Sequence, residues 1–265
     1  MIVYFVFIFI LGLIIGSFLN VCICRIPKEQ SIVKPPSHCT NCGTRLRPLD
    51  LVPILSYIFL KGKCRYCGVK ISARYPAVEL ITALTFVALF YRYSLSVDFC
   101  AAAYIMSILI AVFLIDMEHR IIPDGLVITG LAGGLPLIIY NVFKPVQIYG
   151  TREWWNPLIG MVTGSGFLFL IAIIGFIIYK SDDAMGMGDV KIFAPIGIFL
   201  GWRMTITALL LSVFICGIFS LILIASSKKK KRDTIPFGPF IVTGTFITLM
   251  WGWNIVNWYI GRILH

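Results

Sequence analysis

The chain has 265 residues, 59% of them hydrophobic and 13% charged, with a formal net charge of +11. A mean hydropathy of +0.93 excludes an ordinary soluble domain. No aromatic-basic module accompanies the positive charge, so nucleic acid is not an expected partner.

In chain order, residues 2–24, 77–92, 97–115, 125–143, 156–179, 204–225 and 238–260 form apolar runs of membrane-helix type, the second slightly short. Residues 192–202 add a segment that crosses only if extended at its ends. The expected fold is an all-α polytopic membrane protein of about eight transmembrane helices. A four-cysteine, zinc-ribbon-like insertion is expected between helices 1 and 2. The expected divisions are 1–24, the first transmembrane helix; 25–76, a cytoplasmic metal-binding domain; and 77–265, a transmembrane domain. The first segment lacks a basic leader, and "GSFLNVCICRIP" (16–27) has no clear small-residue cleavage site. It therefore reads as a helix. No internal repeat stands out.

Eight crossings place residues 25–76, 116–124, 180–191 and 226–237 on one side. Those loops carry 18 of the 23 Lys and Arg residues. The positive-inside rule makes that side cytoplasmic and puts both termini outside. "KKKKR" (228–232) is expected to meet anionic lipid headgroups. Trp154, Trp155, Trp251, Trp253 and Trp258 fall near the outer interface and read as anchors. The pairs Gly12/Gly16, Gly160/Gly164 and Gly197/Gly201 have the spacing of close helix contacts.

"CTNC" (39–42) and "CRYC" (64–67) make two matched C-x2-C knuckles, each followed by glycine. Cys39, Cys42, Cys64 and Cys67 fit a structural zinc site with four thiolate ligands, in a compartment that disfavours disulfides. A redox C-x-x-C is the alternative. A catalytic zinc would have His38 as its only adjacent histidine. Cys22, Cys24, Cys100 and Cys216 read as small core residues.

"AVFLIDMEHRIIPDG" (111–125) closes one apolar helix, and "GMGDVK" (186–191) opens another on the same side. Asp116 and Asp189 therefore reach a similar depth. Two carboxylates that meet can divide acid and base roles, one keeping a proton while the other activates water. Each also has a plainer reading, Asp116 as a boundary charge and Asp189 as a helix N-cap. Asp124 reads as a cap, Asp182 and Asp183 as solvated loop acids, Glu118 as a surface group and Glu79 as a structural pairing. Ser165 lies within a helix with no histidine at its depth. No H-E-x-x-H and no strand-linked G-x-G-x-x-G is present.

Taken in order, "GLIIGSFLNVCICRIP" (12–27), the two knuckles, "ISARYPAVEL" (71–80), "LIDMEHRIIPD" (114–124), "GMGDVK" and "IPFGPF" (235–240) resemble the prepilin peptidases, the type IV leader peptidases of bacteria. The resemblance spans nearly the whole chain. It implies an intramembrane aspartyl dyad of Asp116 and Asp189. It implies cleavage of prepilin and pseudopilin leaders at the cytoplasmic face of the bacterial inner membrane. It further implies N-methylation of the new terminus with S-adenosylmethionine, whose binding residues it narrows only to the region around "GSFLN". Two rivals stand beside it: a zinc-ribbon membrane scaffold, which needs no dyad, and an ion-coupled transporter. A methyltransferase without peptidase activity is a narrower third.

Overall fold

The computed structural model describes residues 1–179, 186–226 and 235–263. Asp182, Asp183 and the 228–232 run, for which a loop role and lipid contact were expected, lie outside the described residues. The chain divides into two compact units, Met1–Ser94 and Leu95–His265.

The first unit holds α1 (Ile2–Arg25), a short α2 (Leu55–Phe59) and α3 (Arg74–Tyr93). The Gly12/Gly16 pair lets α1 and α3 touch backbone to backbone. A Cβ on Gly12 would lie 2.5 Å from Ala83 Cα, and one on Gly16 would lie 2.6 Å from Glu79 Cα. As α1 advances from 12 to 16, its partner recedes from 83 to 79, so the helices run antiparallel. The expected small-residue contact is present. Between them lies the cysteine loop, which is built of turns. Among the described residues there is no strand, only two isolated bridges, His38–Arg45 and Lys63–Lys70.

The second unit holds α4 (Val97–His119), α5 (Asp124–Phe143), α6 (Asn156–Tyr179), α7 (Met187–Ala225) and α8 (Gly238–Ile263). The Ser96 hydroxyl accepts the Phe99 N–H at 3.2 Å and caps α4. Among the described residues, seven helices are long and apolar enough to cross a membrane. One of them, α7, has 39 residues. At 1.5 Å per residue it would be about 58 Å long, roughly twice a bilayer core.

Gly201 resolves that excess. Its φ of 72° and ψ of 167° break the helix in a region open only to glycine. The glycine contacts show the chain turning back here. A Cβ on Gly160 would meet Gly197 and Gly201, whereas one on Gly164 would meet Phe193 and Thr205. Moving along α6, the partner residues fall from 197 to 193 on one arm and rise from 201 to 205 on the other. α7 is therefore a helical hairpin of two arms, the first of them shorter than a bilayer core is thick. The Asn156 side chain accepts the Trp202 N–H at 3.0 Å, and the Tyr149 hydroxyl donates to the Ile198 carbonyl at 2.6 Å. These bonds fix the turn. The first arm, Met187–Leu200, has 14 residues and is about 21 Å long.

Of the expected anchors, Trp154, Trp251 and Trp258 are exposed. Trp253 instead donates its indole N–H to the Ile148 carbonyl at 3.1 Å. Among the helix cysteines only Cys22 is buried, and Cys100 is exposed, so the core reading holds for Cys22 alone. The other three sit at half-buried or exposed helix positions.

Candidate active site

Asp116 lies in the last turn of α4 and is 6% exposed. Its Oδ2 accepts the backbone N–H of Gly238 at 3.0 Å. Gly238 is the first residue of α8, where N–H groups lack helical partners. A Cβ at Gly238 would come 2.5 Å from the same oxygen. The absence of a side chain there makes room for the carboxylate. The sequence reading used Gly238 only as part of a motif. A glycine between Phe237 and Pro239 at a helix start was the signal available.

Asp189 is half-buried in the first turn of α7. It is not the cap. Gly186 holds that position, and the Asp189 N–H bonds the Gly186 carbonyl at 3.0 Å. The plainer reading of Asp189 becomes that of an acid in the first turn, where the helix dipole favours a carboxylate. Two contacts tie the start of α7 to the turn that follows Asp116. A Cβ on Gly188 would lie 3.0 Å from Ile122 Cβ, and Lys191 Nζ lies 2.8 Å from Asp124 Oδ1. The two carboxylates are brought close enough for the charge of Asp116 to bear on Asp189. Arg120 bears on Asp116 in turn.

Asp124 was expected to cap a helix. It is the first residue of α5, makes no cap bond, and pairs with Lys191 instead. Glu118 is exposed, as expected. Ser165 donates to the Met161 carbonyl at 2.7 Å within its own helix, which leaves no arrangement of a serine nucleophile.

In the first unit, the Sγ atoms of Cys39, Cys42, Cys64 and Cys67 lie within 4.8 Å of one another. Cys39 and Cys67 are 3.8 Å apart. A tetrahedral ion with metal–sulfur bonds of about 2.3 Å needs sulfurs roughly 3.8 Å apart. The thiol set therefore fits a metal ion. Each knuckle is closed the same way. The Gly43 N–H bonds the Cys39 carbonyl and the Gly68 N–H bonds the Cys64 carbonyl, at 2.9 and 3.0 Å. Both glycines have φ near 70°, at 69° and 71°.

Electrostatics favours the thiolate at Cys42 and Cys64, whereas the Cys67 thiol is raised. Thr44, through its hydroxyl and then its backbone, draws the Cys42 thiol down to about 6. Backbone N–H groups of Cys67 and Tyr66 lower Cys64 as well. Beside the cluster, Asp50 accepts hydrogen bonds from Arg65 Nε at 2.6 Å, the Arg47 N–H at 3.0 Å and the Tyr66 hydroxyl at 3.0 Å. Burial works to raise the Asp50 carboxyl, but these donors together hold it below the usual carboxylate range.

Glu79 is buried, and its Oε2 accepts the Ile54 N–H at 2.8 Å, with Ser17 as a second partner. This is the structural pairing expected of it. Around "GSFLN", the Asn20 amide donates to the Tyr75 carbonyl at 3.0 Å, while its buried Oδ1 has no partner. That corner offers hydrogen-bond acceptors, which suits a cationic ligand.

Fold and site together define a polytopic membrane protein with a four-thiolate loop and two interacting carboxylates at one end of its helices. The model of the bacterial peptidase A24 N-terminal domain matches residues 10–93, and that of the type IV leader peptidase family matches residues 103–221. The chain belongs to the type IV leader peptidase family. The prepilin leader peptidase/N-methyltransferase of Bacillus subtilis (strain 168) is 37% identical over 256 residues, covering 97% of this chain and 98% of that one. The protein of the same name from Aeromonas salmonicida (strain A449) is 32% identical, covering 98% and 95%. That from Pseudomonas aeruginosa is 31% identical, covering 95% and 91%. No solved structure matches the chain.

Proposed function

We propose that this protein is an aspartic-type prepilin peptidase and N-methyltransferase, with Asp116 and Asp189 as its catalytic pair. The observation that carries the reading is that the end of α4 and the start of α7 are fastened together, by Gly188 against Ile122 and Lys191 on Asp124, with Asp116 aimed by the Gly238 N–H. One carboxylate takes a proton from the attacking water. The other, protonated, donates a hydrogen bond to the scissile carbonyl oxygen and stabilises its developing charge. Prepilins and pseudopilins are the substrates. The scaffold and transporter alternatives have no observation in their favour.

The 18 of 23 basic residues on the loops that eight crossings assign to one side, the side of Asp116 and Asp189, support a cytoplasmic active site in the bacterial inner membrane. There a substrate helix can stay in lipid while its leader remains in water. Cys39, Cys42, Cys64 and Cys67 would hold a zinc ion, which would cross-link the loop as a structural ion and leave no ligand position for hydrolysis. S-adenosylmethionine is the methyl donor and supplies an electrophilic methyl group.

The test is a prepilin cleavage assay in proteoliposomes, with product mass followed with and without the donor. Asp116→Asn and Asp189→Asn should each slow cleavage by about 10²- to 10⁴-fold. Cleavage surviving both substitutions would sink the dyad. A gain of one methyl group in the wild-type product only when donor is present supports the second activity. Metal analysis should find zinc in the wild type and little in Cys64→Ser.

A further inference from the structure

Among the described residues the dyad leaves two buried acids unused, Asp98 and Glu79, and Asp98 is met by backbone groups including the Ile148 N–H at 2.9 Å. Glu79 is 7% exposed, and both its partners, the Ile54 N–H and Ser17, are neutral. A carboxylate held this way satisfies some of its acceptor sites, but its charge has no counter-ion among these contacts. One helical turn away sits an unsatisfied group. Asn20 is 4% exposed, and its Oδ1 is buried without a partner. The amide orientation is fixed, because the Tyr75 carbonyl can only accept and so faces the Nδ2 group.

The helix geometry puts these groups on one strip. Ser17 and Asn20 are three apart on α1, and Tyr75 and Glu79 are four apart on α3, so each pair shares a face. The helices run antiparallel, with Asn20 level with Tyr75 and Ser17 level with Glu79. The two rungs are therefore one turn apart, about 5 Å. A donor nitrogen placed between two rungs at that spacing would reach both. Tyr75 is exposed and Ser17 half-exposed, which leaves the strip open to the surface at its edge.

We propose that Ser17, Asn20 and Glu79 form a binding site for a primary ammonium group. An ammonium carries three N–H donors and one positive charge. The strip offers the Glu79 carboxylate, the Asn20 carbonyl oxygen and the Ser17 hydroxyl. A sulfonium would balance the charge of Glu79 but has no donor to satisfy Asn20 Oδ1. In its choice of ligand the proposal rests on the N-methylation reading above. Two reactants of that step bear a primary ammonium: the freed α-amine of the cleaved substrate and the amino-acid end of the methyl donor.

The test uses the full-length protein, a pilin-like apolar peptide with a free amino terminus, and S-adenosylmethionine. Glu79→Gln removes the charge, and Asn20→Leu removes the orphan acceptor at similar volume. If the strip holds the peptide amine, both variants raise the peptide KM by roughly ten- to a hundredfold and leave the donor KM within about twofold. If it holds the donor, the donor KM moves and the peptide KM does not. Folded variants in which neither KM moves would overturn the site. If the wild type transfers no methyl group, the methylation reading fails, and direct binding decides the site. Thermal stabilisation by the free peptide over its N-acetylated form, or by the donor, that is lost in Glu79→Gln supports the site. Equal stabilisation of wild type and variant overturns it.

Discussion

The carboxylate of Asp116 accepts the first N–H of α8, from Gly238, across 122 positions of sequence. The bond makes the start of one helix an orienting group for the acid at the end of another. Gly238→Ala tests this directly. Alanine is the better helix former, so local propensity does not disfavour the variant. Its methyl group would nevertheless lie 2.5 Å from Asp116 Oδ2. We expect cleavage to fall at least about tenfold while the helical signal by circular dichroism stays unchanged. Unaltered turnover would show that Asp116 does not need this position.

Lys191 and Asp124 form an exposed ion pair at 2.8 Å. Such pairs contribute about 0–1 kcal/mol to stability. Lys191→Met should therefore shift thermal unfolding little. It should still slow cleavage several-fold, because the pair fastens the start of α7 two residues beyond Asp189. The exchanged double variant, Lys191→Asp with Asp124→Lys, should restore part of the loss. Equal rates in all three proteins would mean the pair is only a surface contact.

Asp50 gives the cysteine loop an acid-sensitive fastening. Its folded-state pKa is depressed, so its stabilisation is fully present above the unfolded value, near 3.9, and is lost as pH falls through the folded one. Asp50→Asn should make residues 26–73 more open to limited proteolysis at pH 7. The gap between wild type and variant should close below about pH 4. A gap that stays constant with pH would assign the effect to shape and not to charge.

Gly201 holds φ at 72°, and a Cβ there would collide with Asn156 and lie 3.0 Å from Tyr149 Cδ1. Gly201→Ala should destabilise the protein by about 1–3 kcal/mol from backbone strain alone. Chemical denaturation in detergent measures this directly. A neutral result would show that the α7 turn relaxes without cost.

The parts of the fold carried by local composition were legible in the sequence. Apolar runs marked the helices, and the paired glycines at 12/16 and 160/164 marked their contacts, because small residues at four-residue spacing act on one helix face; in the 197/201 pair, Gly201 instead marks the α7 turn. The two acids were legible as a pair because topology alone puts the end of α4 and the start of α7 on one side. Partners distant along the chain were not legible. Nothing near Asp124 points to Lys191, and nothing near Glu79 points to the Ile54 N–H. The hairpin at Gly201 was half legible: the short apolar stretch showed, but the reversal depends on Asn156 and Tyr149, which lie outside it.

The short arm of α7 has a consequence for the lipid. Fourteen residues cover about 21 Å, against a hydrocarbon thickness of about 30 Å. The Asn156 and Tyr149 bonds hold its far end at the turn. In a bilayer the shortfall would create hydrophobic mismatch beside Asp189, to be met by thinning of the surrounding leaflet or by solvent entering along the protein. Either response would bring the aqueous phase inward to a residue that belongs, by sequence position, to an apolar helix. A hydrolase within a bilayer needs a supply of water, and the length of one helix would give it a route.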